Sequence, residues 1–144
     1  MKLRLRYPAM PGNAEDHAEL AVTVAREEYD PTLDYSPESR ESLDAEIESR
    51  REAGLDGEAA AEVLFVFGCY LGEVMERHLK GTWVPTSRSP LRDLSPRPMV
   101  VTRADGSAWD TIGKAYKRLE LGDSEYLPAF FQWAAQTRPG GARG

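Results

Sequence analysis

One cysteine and two histidines are all that 144 residues offer as thiolate or imidazole ligands. The lone Cys69 excludes an internal disulfide, and its apolar neighbours favour a small buried core residue over a reactive thiol. A chain of this length can bury roughly two-thirds of its unfolded surface, so it needs neither a disulfide nor a metal to hold one core. His17 and His78 have no second histidine or cysteine at ligand spacing, so no metal site is expected and each reads as a surface residue. Gly113-Lys114 lacks the upstream glycine and the following serine or threonine of a phosphate loop. No dinucleotide fingerprint and no Gly-x-Ser-x-Gly elbow appear, so no cofactor and no hydrolase of that type are expected. The charge-free run Val63 to Gly72 is far short of the roughly 20 residues that span a bilayer. Met1 to Tyr7 alternates cations with no apolar run behind it, so neither a signal peptide nor a lipid anchor is expected, and the expected location is the cytoplasm.

What the chain does have is the stretch Ala59 to Trp83. Val63, Leu64, Val66, Phe67, Tyr70, Leu71, Val74, Met75 and Leu79 recur at three- and four-residue intervals, which predicts a central helix with a wide buried face. Glu73, Glu76, Arg77 and Lys80 give its second half a wet face. Gly68 and Gly72 lie four apart, and each costs roughly 1 kcal/mol relative to alanine inside a helix. Close approach of another backbone to that face would offset the cost, and this is preferred to a membrane dimer motif.

Around this helix the chain reads as one α+β domain over residues 1–137, with a mobile tail over 138–144. Lys2 to Tyr7 alternates as a strand with Leu3, Leu5 and Tyr7 inward. Asn13 is a cap for a helix to about Tyr29, stopped by Asp30-Pro31, after which Leu33 and Tyr35 look extended. Ser36-Pro37-Glu38 starts a surface helix that runs to Ala53 with Leu43 and Ile47 as its stripe and its glutamates in water, and Gly54 stops it. Short strands are expected at Thr82 to Val84, Met99 to Arg103 and Ser107 to Trp109, with a hairpin turn at Ala104-Asp105-Gly106. Pro85 to Pro98, with four prolines, is a long loop, functional or merely mobile and too polar to be a core element. Asp110 or Thr111 caps a helix with Lys114, Lys117 and Arg118 on its exposed side, Gly122 closes it, and Asp123 begins the last helix. Pro128 predicts that the first turn of that helix is separate.

Charge is segregated along the chain. Residues 13–62 hold 4 basic and 16 acidic side chains, and residues 77–118 hold 9 basic and 3 acidic. Such a split invites an interaction reading, against the plainer alternative that the two blocks attract one another within one fold. The candidate binding residues are Arg88, Arg92, Trp109, Lys114, Lys117 and Arg118. No residue is assigned a catalytic role. Glu73 is the weak candidate for a general base, with Tyr70, His78 or Arg118 beside it, and pairing with Arg77 is its structural alternative. Trp83, Trp109, Lys114, Tyr116 and Lys117 could stack on single-stranded nucleic acid, but an acidic chain makes core tryptophans beside solvated lysines the better account.

Tyr70-Leu71-Gly72-Glu73-Val74, Gly81-Thr82-Trp83, Asp105-Gly106 and Gly113-Lys114-Ala115-Tyr116-Lys117-Arg118-Leu119, followed by Gly122-Asp123-Ser124, resemble a group of small uncharacterised bacterial proteins. That group reads YLGEV, GGxW, DG and GKxYKRLxxG, and the resemblance covers roughly Ser36 to Phe131. It implies a compact α+β domain and transfers no catalytic residue. Lys80-Gly81 departs from the usual glycine pair and bears on the turn geometry. The function expected is a non-enzymatic interaction or regulatory module that meets a protein partner or another copy of itself. The alternatives are a ligand binder or enzyme with a pocket near Glu73, and a nucleic-acid binder.

Overall fold

From Val63 to Met75 every residue is buried, and the other elements are arranged around this segment. The computed structural model describes residues 7–28 and 33–136. Among them are five α-helices, α1 (Ala14–Glu27), α2 (Ser39–Glu52), α3 (Ala61–Leu79), α4 (Thr111–Leu121) and α5 (Leu127–Gln136). One antiparallel sheet joins β1 (Thr82–Pro85), β2 (Met99–Thr102) and β3 (Ala108–Trp109), with β2 in the middle. This is an α+β fold, as the sequence predicts. Of the expected strand over Lys2 to Tyr7 only Tyr7 is described, and it is exposed in a bend rather than turned inward; the rest of that strand, the stop at Asp30-Pro31 and the tail from Arg138 lie outside the described residues.

Helix α3 packs against α1 on one side and α4 on another, which is why its first half is apolar nearly all round. Alanines 14, 18, 21 and 25 of α1 are all buried, and such small side chains let two helices approach closely. On the α4 side, a Cβ added at Gly68 would sit 2.4 Å from Ile112 Cα, so a backbone does approach there. Gly72 is different: an added Cβ would meet the Trp83 indole at 2.1 Å, so a side chain rather than a backbone fills that face.

Local signals place most boundaries. Ser36 Oγ accepts from Ser39 N at 3.2 Å and caps the turn leading into α2, Gly54 takes φ +83°, and Asp110 Oδ1 caps α4 through Gly113 N at 2.7 Å. The 103–107 turn closes with Gly106 at φ +93°. A 3-10 turn, Gly122–Glu125, separates α4 from α5, and Pro128 lies in the first turn of α5.

Several local features depart from what the sequence predicts. Asn13 does not cap α1, because its side-chain amide is turned back to donate to Pro8 O at 3.0 Å. Tyr35 is not extended: its φ is +67°, held by Tyr70 Oη accepting from its N–H and by the stacked Tyr70 ring. His17 is buried, not on the surface, with its ring edge-on to Phe65 and Nε2 at 3.0 Å from Pro8 O. The loop after β1 is not wholly solvated either, for Leu91 packs with Val84, Val100 and Ala108 and covers the outer face of the sheet.

Candidate functional site

Helix α3 presents Glu73 to β1, where Trp83 Nε1 donates to its Oε2 at 3.0 Å. The expected wet face therefore begins later, because Glu73 is only 3% exposed. Burial, together with the neighbouring Glu76 charge, pushes its carboxyl up to about 7, although the Trp83 hydrogen bond and Arg77 favour the charged form. Arg77 lies 3.9 Å from Glu73 and 3.6 Å from Glu15, and its guanidinium stacks 3.8 Å above the Tyr35 ring. A shallow cleft of about 440 Å³ opens over this carboxyl, lined among others by Gly12, Glu15, Glu76 and Thr82.

A carboxyl that titrates near neutrality can exchange a proton, but general-base chemistry also needs converging partners. The groups expected beside Glu73 are committed elsewhere. Tyr70 Oη is 2.6 Å from Ser39 Oγ, His78 Nε2 is 2.8 Å from Tyr35 O, and Arg118 faces α2. The Cys69 thiol is raised well above its ordinary value by burial and by Glu73, so it is no thiolate. Glu73 instead anchors Trp83. Among the described residues no group of three or more His, Cys, Asp or Glu side chains could hold a metal ion.

The six candidate binding residues divide. Arg88 and Lys117 are exposed, with no acidic partner among the described residues, and Arg92 faces only its neighbour Asp93, at 3.6 Å. Lys114 reaches Glu125 at 2.7 Å and lies over the Phe130 ring. Trp109 is fully buried, so it cannot stack on a base. Arg118 is not on the exposed side of α4 but 1% exposed. Its Nε and Nη2 grip Asp44 at 2.8 and 3.1 Å, and Nη1 reaches Glu48 at 2.9 Å. Asp44 Oδ1 also accepts from Leu127 N at 3.0 Å, so one carboxylate ties α2 to α4 and α5. The α2 carboxylates are thus not all in water: Asp44 and Glu46 are buried. Burial and the hydrogen-bonded Glu28 push Glu46 up to about 8.

One group drawn together by the fold has no signature in residue spacing. A cleft of about 260 Å³ runs between the proline-rich loop and α4, lined by Leu91, Leu94 and Arg97 on one side and Tyr116, Lys117 and Glu120 on the other. Arg97 lies 4.0 Å above the Tyr116 ring, whose hydroxyl donates to Ala61 O at 3.2 Å. The nearest sequence signal was the arginine content of the loop, which says nothing of Tyr116 as its platform.

Comparison with known proteins finds no family model that matches the chain, and no curated protein or solved structure that matches it. Among the described residues no helix is long and apolar enough to cross a membrane.

Proposed function

We propose that the chain is a non-enzymatic protein-interaction module whose binding surface is the proline-rich loop with the adjoining side of α4. The observation that carries this reading is the set of exposed cations Arg88, Arg92 and Lys117, none of which is neutralised by the acidic helices. The outer faces of α1 and α2 meanwhile expose Glu15, Asp16, Glu19, Glu38, Glu41 and Glu52. Fields of one sign on distinct surfaces speed encounter with partners of the opposite sign and repel the wrong ones. An enzymatic reading centred on Glu73 loses support because Tyr70, His78 and Arg118 are engaged elsewhere.

The test is partner capture and sedimentation of the purified chain at low salt and at about 0.5 M salt, where screening shortens to about 4 Å. Binding should weaken steeply with salt. It should also weaken in Arg92→Glu/Lys117→Glu while the melting temperature stays nearly constant, since exposed pairs contribute only about 0–1 kcal/mol. Binding indifferent to both salt and charge reversal would overturn the reading.

A further inference from the structure

Resting on that interaction reading, we infer that the cleft between the proline-rich loop and α4 seats an acidic segment of a partner protein, presenting a carboxylate beside an apolar side chain. The cleft encloses about 260 Å³. That accommodates one or two side chains and falls below the roughly 300–1,000 Å³ of small-molecule sites.

Arg97 supplies the first argument. Its guanidinium lies over the Tyr116 ring, 4.0 Å from the centroid, and the tyrosine is itself fixed by its hydrogen bond to Ala61 O. The buried Arg97 Nε has no hydrogen-bond partner among the described residues. Buried polar groups are nearly always paired, and a stacked guanidinium is preorganised to meet a planar carboxylate. Lys117, on the facing wall, is also without an acidic partner among the described residues.

The acids of the cleft do not answer these charges. Asp110 is held by Gly113 N and Ser95 Oγ, each at 2.7 Å. Both carboxylates of the lining, Asp110 and Glu120, match Arg97 and Lys117 in number, but among the described residues neither forms an ion pair with those cations. The apolar half of the match comes from Leu94, which lines the same cleft while 73% exposed. An exposed leucine between unpaired cations suits a segment that alternates acidic and apolar side chains. On the same loop Arg88, without an acidic partner among the described residues, extends the positive field to acids flanking that segment, while Arg92 is partly offset by Asp93 at 3.6 Å.

The experiment is selection of a displayed random-peptide library on the full chain at low salt, followed by titration of the best synthetic peptide. Selected peptides should carry Asp or Glu next to a large apolar residue. Affinity should fall at least tenfold in Lys117→Glu and in Leu94→Ser, two exposed positions whose variants keep the parent melting temperature. Peptides without carboxylates overturn the assignment, and so does recovery of no peptide; salt-dependent partner capture then decides separately whether the interaction reading survives. Acidic peptides that ignore both variants but are lost in Arg88→Glu/Arg92→Glu overturn the cleft and leave the interaction reading standing. Self-association abolished by the cleft variants would make the occupant a second copy and overturn the partner class.

Discussion

Replacing Arg118 by methionine tests the most consequential pairing in the fold. The substitution keeps a long side chain but strands Asp44, which is buried and would lose both of its guanidinium bonds, at 2.8 and 3.1 Å. Its remaining partner among the described residues is Leu127 N, which cannot neutralise a charge. Breaking a buried pair by removing one member costs about 3–5 kcal/mol, a large part of the roughly 5–15 kcal/mol that holds a domain together. For a chain of this size each kcal/mol moves the melting temperature by about 2–4 °C, so a fall of about 10 °C is expected. Urea denaturation followed by tryptophan fluorescence reads the same quantity. The control is Lys117→Met on the exposed side of α4, expected within about 0.5 kcal/mol of the parent. The double variant Arg118→Met/Asp44→Leu removes the stranded charge, so its cost should be less than the sum of the single costs by about 2 kcal/mol. Arg118→Met costing under about 1 kcal/mol, or single costs that simply add, would refute the claim that this pair ties α2, α4 and α5 together.

Gly68→Ala should destabilise by about 1–3 kcal/mol in spite of better helix propensity, because its Cβ would lie 2.4 Å from the α4 backbone; an unchanged or higher melting temperature would contradict that packing. Glu73 binds its proton more tightly folded than unfolded, with its carboxyl raised from 4.5 to about 7. Its contribution is therefore fully present below about pH 4.5 and lost as pH rises through about 7. Glu73→Gln removes that dependence, so denaturation at pH 4.5 and 8.5 should show the variant gaining about 1–3 kcal/mol on the parent at the higher pH; a gap constant with pH would count against the buried carboxyl. Lys80 ends α3 at φ +59°, a conformation that L side chains disfavour, so Lys80→Gly should stabilise by about 0.5–1 kcal/mol in the same melt, and a loss would show that the side chain has a role of its own.

Legibility in the sequence follows the range of the interaction. The α3 stripe, the Ser36 and Asp110 caps and the left-handed stop at Gly54 depend on neighbours within one or two turns, and all of them can be read along the chain. The Lys80-Gly81 departure is partly legible too: the lysine takes the positive φ, and Gly81 must stay small because a Cβ there would meet Val101 Cγ1 at 2.4 Å. Arg118 carries no local sign of its burial, because α-helical spacing puts it one turn from Lys114, whereas its partner Asp44 lies 74 residues upstream. Tyr116 and Arg97 meet only because the loop folds back over α4, and no periodicity encodes that. The same long-range pairing changes what the charge count means. Of the basic residues in 77–118, Arg118 is spent on α2 and Lys114 on Glu125, so the attraction between the two blocks is partly internal. Among the described residues, the cations of that block with no carboxylate partner beyond an adjacent residue are Arg88 and Arg92 on the loop, Lys117 and Arg97 at the adjoining cleft, and Lys80 at the end of α3. A partner drawn by charge would therefore meet the loop and one edge of α4, not the whole polar side of that helix that the sequence suggests.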